Sequence, residues 1–387
     1  MKRIFLLITI FYGLNASAQS SEAFTFELLR SMEKQKKNIL VSPYSIRTIL
    51  SLCAEGASGK TLSEMTQTLS LPKDATKNRN ERQSNINQIT NSKGFQISSD
   101  NTIWLDKTLL VSKKFTEIAQ NYYFAPTQTV DFGNKPSEAT KTINDFVAEK
   151  TKQSIKNLIP DGIITPLTRM VLTNTIEFKA VWEKEFDKAN TKEQDFWLNN
   201  TEKKSVKMMY QKGKFIISTY ENHKMIELPY KGGEAEMWII LPANNDLPAL
   251  LSKMNEKTWL KKYTRMEERE VLLTLPLFEF EAKYKLPENL KSMGMNDAFN
   301  GNAKFPYLTS NGEHLQIAEI IHQAKIKVEE KGTEAAAATA VIAITRGMNA
   351  PLEPFIFKAD HPFLFVIQHT STGEILFAGT VLDPTSK

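Results

Sequence analysis

Cysteine is all but absent: the 387 residues contain one, Cys53. A lone thiol excludes an internal disulfide and any thiolate zinc cluster, so stability has to come from an apolar core, which a chain of this length can build. Between Leu52 and Ala54, Cys53 reads as a small buried hydrophobe rather than a nucleophile. The five histidines, His223, His314, His322, His361 and His369, never fall at metal-ligand spacing; no metal and no cofactor is expected. Also missing are a G-x-S-x-G elbow, an H-E-x-x-H pair, a P-loop and a G-x-G-x-x-G turn, which argues against a hydrolase or any other enzyme. No Gly/Ser-rich or Pro-rich linker, charge block or repeat divides the chain, so it reads as one large domain. The net charge of +5 is too mild to argue for nucleic acid.

Long apolar runs are confined to the start. Lys2 and Arg3, the run from Ile4 to Leu14, and Ala16-Ser17-Ala18 before Gln19 have the layout of a secretory signal peptide, too short for a membrane span. Residues 1–18 are therefore expected to be removed, leaving a mature domain of residues 19–387 with a charge of +3, extracellular or periplasmic.

What is there begins with Phe24, Leu28, Leu29 and Met32 at helical spacing, which predicts an amphipathic helix over residues 20–36. Asn38 to Ile46 reads as a short buried strand turning at Pro43 into the helix that holds Cys53. Residues 73–95 are polar, and Lys77, Arg79 and Arg82 read as a solvated helix face. Leu167 to Phe178 is apolar and β-branched enough for a central strand covered on both faces. A single helix is expected from Leu247 to Tyr263, and an alternating strand from His322 to Glu329 with His322, Ala324, Ile326 and Val328 on one side.

The most unusual stretch is Glu330 to Gly347, EKGTEAAAATAVIAITRG. Thr333 is placed as an N-cap, and Ala335, Ala336, Ala337 and Ala338 favour a helix. Val341, Ile342 and Ile344 favour a strand. Local preference leaves the two open, while Gly332 permits a sharp change of direction.

Several stretches, in order along the chain, resemble the serpin family. They are N-x-x-x-S-P-x-S-I at Asn38 to Ile46, the run from Leu158 through Asn174, Phe178 and Trp182 to Phe186, and FKADHPFLF at Phe357 to Phe365. The resemblance extends from about residue 22 to the end, departing at Ala180, where the family usually has glycine. It implies an α+β fold: a large central mixed β-sheet plus smaller sheets, surrounded by eight or nine helices, with an exposed reactive-centre loop over about residues 331–356. On the family pattern the scissile bond is Arg346-Gly347, and the hinge comprises Gly332, Thr333, Glu334, Ala335, Ala336, Ala337, Ala338 and Thr339. Ser42, Ser45, Asn174, His322 and Trp182 form a structural gate under the main sheet, with no catalytic role.

The function implied is suicide inhibition of trypsin-like, Arg-specific serine proteases by a monomer that engages neither membrane nor nucleic acid. Some cysteine proteases also fit a single arginine. A non-inhibitory serpin, acting as carrier, chaperone or mere substrate, is the alternative, and a secreted hydrolase a more distant one.

Overall fold

The computed structural model describes residues 21–333 and 353–386. Nine α-helices lie among them: α1 (Ser21–Met32), α2 (Pro43–Glu55), α3 (Gly59–Thr68), α4 (Ala75–Thr90), α5 (Lys113–Tyr123), α6 (Pro136–Lys150), α7 (Leu247–Lys253), α8 (Glu256–Leu260) and α9 (Pro287–Ser292). None of the described helices is long and apolar enough to cross a membrane.

The strands begin with β1 (Ile39–Val41), β2 (Phe95–Asp106), β3 (Thr127–Val130), β4 (Met170–Val181), β5 (Lys192–Trp197), β6 (Lys203–Thr219), β7 (His223–Pro229) and β8 (Ala235–Pro242). They continue with β9 (Glu267–Pro276), β10 (Phe278–Lys285), β11 (Glu319–Glu329), β12 (Gly332–Thr333), β13 (Phe355–Lys358), β14 (Phe363–His369) and β15 (Ile375–Val381). One mixed sheet has the order β10-β11-β12-β4-β2-β3. The other runs β1-β15-β14-β8-β7-β6-β9-β13, with β5 added on β6. The second sheet is continuous because β6 serves two neighbourhoods, pairing β9 over Met208–Ile217 and β7 over Ile217–Thr219.

The α+β serpin fold expected from sequence is present. Helix α2 starts where Ser42 caps it, its hydroxyl accepting from the Ser45 amide at 3.2 Å, and Pro43 takes the first turn, where its missing N–H costs nothing. From Pro43 to Ala54 every residue of α2 is buried, because the helix lies between the two sheets, against β2 and β4 of one and β15 of the other. Cys53 is buried in it, and burial pushes its thiol pKa up, leaving an inert apolar side chain. At about 1.5–3 kcal/mol for each large apolar side chain fully withdrawn from water, this core stands in for disulfides.

Three expectations are corrected. The strand meant to begin at Leu167 begins at Met170, and Leu167 is 85% exposed in the preceding turn. The helix expected from Leu247 to Tyr263 is broken at Met254, whose backbone is extended. Asn255 there caps a new helix by accepting from the Thr258 amide at 3.0 Å. Arg82 does not lie on a solvated face: it is buried and ion-paired with Glu374, which also pairs Arg47 at 3.3 Å. Its neighbour Arg79 pairs the buried carboxylate of Glu55 at 2.6 Å, and only Lys77 remains on an open face.

Candidate functional site

Strands β4 and β11 run parallel and pair directly from Val171/Glu319 to Glu177/Lys325. Above that point they part. The gap is taken by β12, whose Thr333 lies between Val328 and Ala180 and whose Gly332 lies between Glu329 and Val181, antiparallel to both. A seam closed below and opened by two residues above is thus built into the centre of the sheet.

Along the seam, β11 presents His322, Ala324, Ile326 and Val328 to the core, and β4 presents Asn174, Ile176 and Phe178. His322 and Asn174 are directly paired across the seam, with Nδ1 of the ring bonded to Asn174 Oδ1. The Ser42 amide donates to His322 Nε2 at 3.1 Å, so Nε2 is the acceptor and Nδ1 carries the proton. Asn174 Nδ2 then donates to Ser45 Oγ and Asn101 Oδ1, and Ser45 Oγ lies 3.0 Å from Ser99 Oγ. The Tyr284 ring stacks over His322 at 6.5 Å between centroids. Burial pushes the His322 pKa down to about 3. The neutral tautomer fits both partners, whereas an imidazolium would turn a second donor on the Ser42 amide.

A second cluster holds the top. The Trp182 and Tyr230 rings stack at 4.5 Å between centroids with planes 9° apart, and Tyr230 Oη lies 2.7 Å from Thr333 Oγ1. Trp182 also donates through its indole to Glu329 O at 3.0 Å and through its amide to Lys331 O at 2.9 Å. The Phe186 amide reaches Glu330 O at 2.8 Å, and Thr191 Oγ1 donates to the Glu330 carboxylate at 2.8 Å. Thr333 is thereby buried as a strand residue, not as the N-cap that local preference allowed. Gly332 has φ +155°, and a Cβ there would overlap the Ala180 carbonyl oxygen and stand 2.8 Å from Val181 Cα. Only glycine lets the chain pass this close to β4.

Of the residues singled out from sequence, Ser42, Ser45, Asn174 and His322 meet in one hydrogen-bonded group. Trp182 does not join it. It sits at the top of the seam with Gly332 and Thr333. Glu334, Ala335, Ala336, Ala337, Ala338, Thr339, Arg346 and Gly347 lie outside the described residues. Sequence reading missed Asn101, Ser99 and Tyr230 as members of these clusters. Asn101 and Ser99 bond each other at 3.2 Å, but these residues reach the others of their clusters only across at least 54 positions, which spacing does not reveal. Among the described residues no group of three or more His, Cys, Asp or Glu could hold a metal ion.

The serpin family profile, described as "Serpin (serine protease inhibitor)", matches residues 19–384. A serpin-like protein of Methanosarcina acetivorans is 38% identical, with 95% of this chain and 86% of that protein covered. Human Serpin B3 is 34% identical over 96% of this chain and all of that protein. The solved structure of Serpin48 from the insect Tenebrio molitor superposes with a TM-score of 0.83 at 31% identity, covering 94% of this chain and 96% of the other. Likeness on this scale, in sequence and in fold, leaves almost none of the molecule unaccounted for, and the chain belongs to the serpin family.

Proposed function

We propose that this serpin is a secreted, monomeric suicide inhibitor of Arg-specific serine proteases, extracellular or periplasmic, with Arg346-Gly347 as the scissile bond. One observation carries the reading: the sheet holds Gly332 and Thr333 in the first two registers of a place between β4 and β11. The residues that follow in sequence, Glu334 to Thr339, are small apart from one glutamate. A protease serine attacks Arg346, whose guanidinium suits a specificity pocket with a buried carboxylate. Once the bond is cut, the segment from Thr333 to Arg346 is free to extend β12, roughly 45 Å at about 3.3 Å per residue. Side chains entering beneath the sheet alternate from Thr333, and on that register they are Ala335, Ala337 and Thr339. An unpaired charge among them would cost several kcal/mol and slow insertion.

Insertion has to outrun hydrolysis of the acyl ester, and it does so by dragging the protease serine from the histidine and oxyanion hole that deacylation needs. Mixing the mature protein with trypsin is expected to give an SDS-stable complex and a C-terminal peptide beginning at Gly347. Complete cleavage without a complex would favour the non-inhibitory reading. Release of a different peptide would move the reactive bond.

A further inference from the structure

Four helices surround a cleft that shares no residue with the seam. The C-terminus of α2, one face of α3 and the N-terminal halves of α4 and α5 enclose about 480 Å³, closed on the remaining side by residues 306–310. Each of the last three helices turns one face to it. Leu62 and Thr66 of α3, Ala75 and Arg79 of α4, and Lys114 and Ile118 of α5 line it, each pair one turn apart. Backbone bonds fix the loop wall: the Tyr307 amide donates to Gly56 O at 3.1 Å, Ser112 to Leu308 O at 2.9 Å and Ser310 to Leu110 O at 2.7 Å. The cleft is thus formed before anything enters it.

Its lining is apolar with an excess of positive charge. Leu62, Leu71, Phe115, Ile118 and Tyr307 supply the apolar walls, and Leu62 and Tyr307 are left 37% and 60% exposed. The charged lining is Glu55, Lys73, Arg79 and Lys114, three cations against one carboxylate. That carboxylate is fully engaged: Oε2 accepts from Arg79 Nε at 2.8 Å and Nη2 at 2.6 Å, and Oε1 from Tyr123 Oη at 3.0 Å. Arg79 is held in place by these bonds and keeps the edge that carries Nη1. Lys77 and Lys113 are paired on their own helices with Glu81 at 3.8 Å and Glu117 at 3.9 Å. Lys73 and Lys114 form no ion pair among the described residues. Asp74, next to Lys73 in the chain, faces its own helix and accepts from the Lys77 amide at 2.7 Å. A neutral apolar guest would leave the cations unanswered, and a bare inorganic anion would leave the walls in water. We infer that this cleft binds an aliphatic carboxylate of medium chain length, its head among Lys73, Arg79 and Lys114 and its tail between Leu62, Ile118 and Tyr307. The inference stands apart from the arginine reading, because its readouts involve no protease.

The test uses the mature protein at about pH 7.5, where carboxylates and lysines are ionised. Decanoate below its micelle-forming concentration is the probe, and decyltrimethylammonium, alike in tail and opposite in charge, is the control. Calorimetry should show saturable binding of decanoate, at least about tenfold tighter than the control. Hydrogen exchange should slow in peptides spanning Leu62 to Arg79, Ser112 to Ile118 and Pro306 to Ser310. Lys73 and Lys114 are both exposed, so the double variant Lys73→Glu, Lys114→Glu should keep the melting temperature while weakening binding at least about tenfold. Equal binding of the two amphiphiles, undiminished binding by the double variant, or no saturable binding to the wild type would each overturn the site. Slower exchange confined to other peptides would place the ligand elsewhere and overturn it as well.

Discussion

His322 and Asn174 occupy facing positions on β11 and β4 and bond to each other across the seam, so an added strand cannot pass between them without breaking that bond. The same ring accepts from the Ser42 amide, which ties the seam to the start of the buried helix α2. The lower seam is locked by neutral hydrogen bonds, while the upper seam is propped by two inserted residues.

Acid should loosen the lock first. The His322 pKa is depressed from 6.5 to about 3, so between those values the unfolded chain binds a proton that the folded chain refuses. Stability is full above about pH 6.5 and falls as pH drops toward about 3. His223, pushed down to about 4 by burial and by Arg265, adds to the same slope. Glu374 is held at about 2, against an ordinary 4.5, chiefly by Arg82 and Arg47 working against its burial. Its contribution is therefore lost only below about pH 4.5. Between pH 7 and 4.5 the histidine slope is opposed by Asp100, raised to about 6, and Glu227, raised to about 7, both chiefly by burial. The histidine is therefore isolated by comparing variants: in urea unfolding over that range His322→Gln should lower the slope by roughly one proton's share. An unchanged slope would mean that His322 is not neutral in the fold.

At the upper seam, Gly332→Ala brings a methyl against the Ala180 carbonyl. β12 is expected to leave its slot, with hydrogen exchange at Thr333 rising at least about tenfold and the core unaffected. Tyr230→Phe is the milder counterpart. It removes the hydroxyl 2.7 Å from Thr333 Oγ1 and should cost about 1–3 kcal/mol, because a buried threonine oxygen is left unsatisfied. Retained protection in Gly332→Ala would show that the glycine is not required for the seat.

Much of this was legible in the sequence, for identifiable reasons. The alternation of His322, Ala324, Ile326 and Val328 gave the buried face of β11 correctly, since period two survives whatever partner the strand acquires. Ser42-Pro43 announced the start of α2 because capping is local chemistry. Arg82 was misread because its partner Glu374 lies 292 positions on, and a polar helix looks solvated until the hairpin that covers it is known. Leu247 to Tyr263 was misread because hydrophobic spacing outvoted Asn255, a strong cap in the middle of the run. Trp182 was grouped with the histidine cluster because the family motif supplies residue identities and not their depth along the seam.

The buried charges linking α2, α4 and the β14–β15 hairpin make a separate prediction. Glu374 accepts from Arg47, Arg82 and Asn85 with almost no access to water. Glu374→Gln leaves two buried guanidinium groups without a counter-charge and should destabilise the fold by about 3–5 kcal/mol. Denaturant unfolding measures the loss, and a change below about 1 kcal/mol would mean that water already reaches the cluster.

The last prediction joins the seam to the proposed inhibition. Thr333 is the one inward-facing hinge position whose surroundings are described. It is buried, hydrogen-bonded to Tyr230 and flanked by β4 and β11. Thr333→Arg buries a cation beside Tyr230, Val328 and Ala180, so the side chain must be expelled and insertion has to begin against that cost. Cleavage at Arg346 needs only an exposed bond and should continue at an unchanged rate. The variant should therefore be cut by trypsin without trapping it, raising the moles of inhibitor consumed per mole of protease at least about tenfold. Arg346→Ala should instead abolish reaction with trypsin while leaving the hinge intact. The two together separate recognition from trapping, and a Thr333→Arg variant that still formed SDS-stable complex in full would show that capture does not run through the seam.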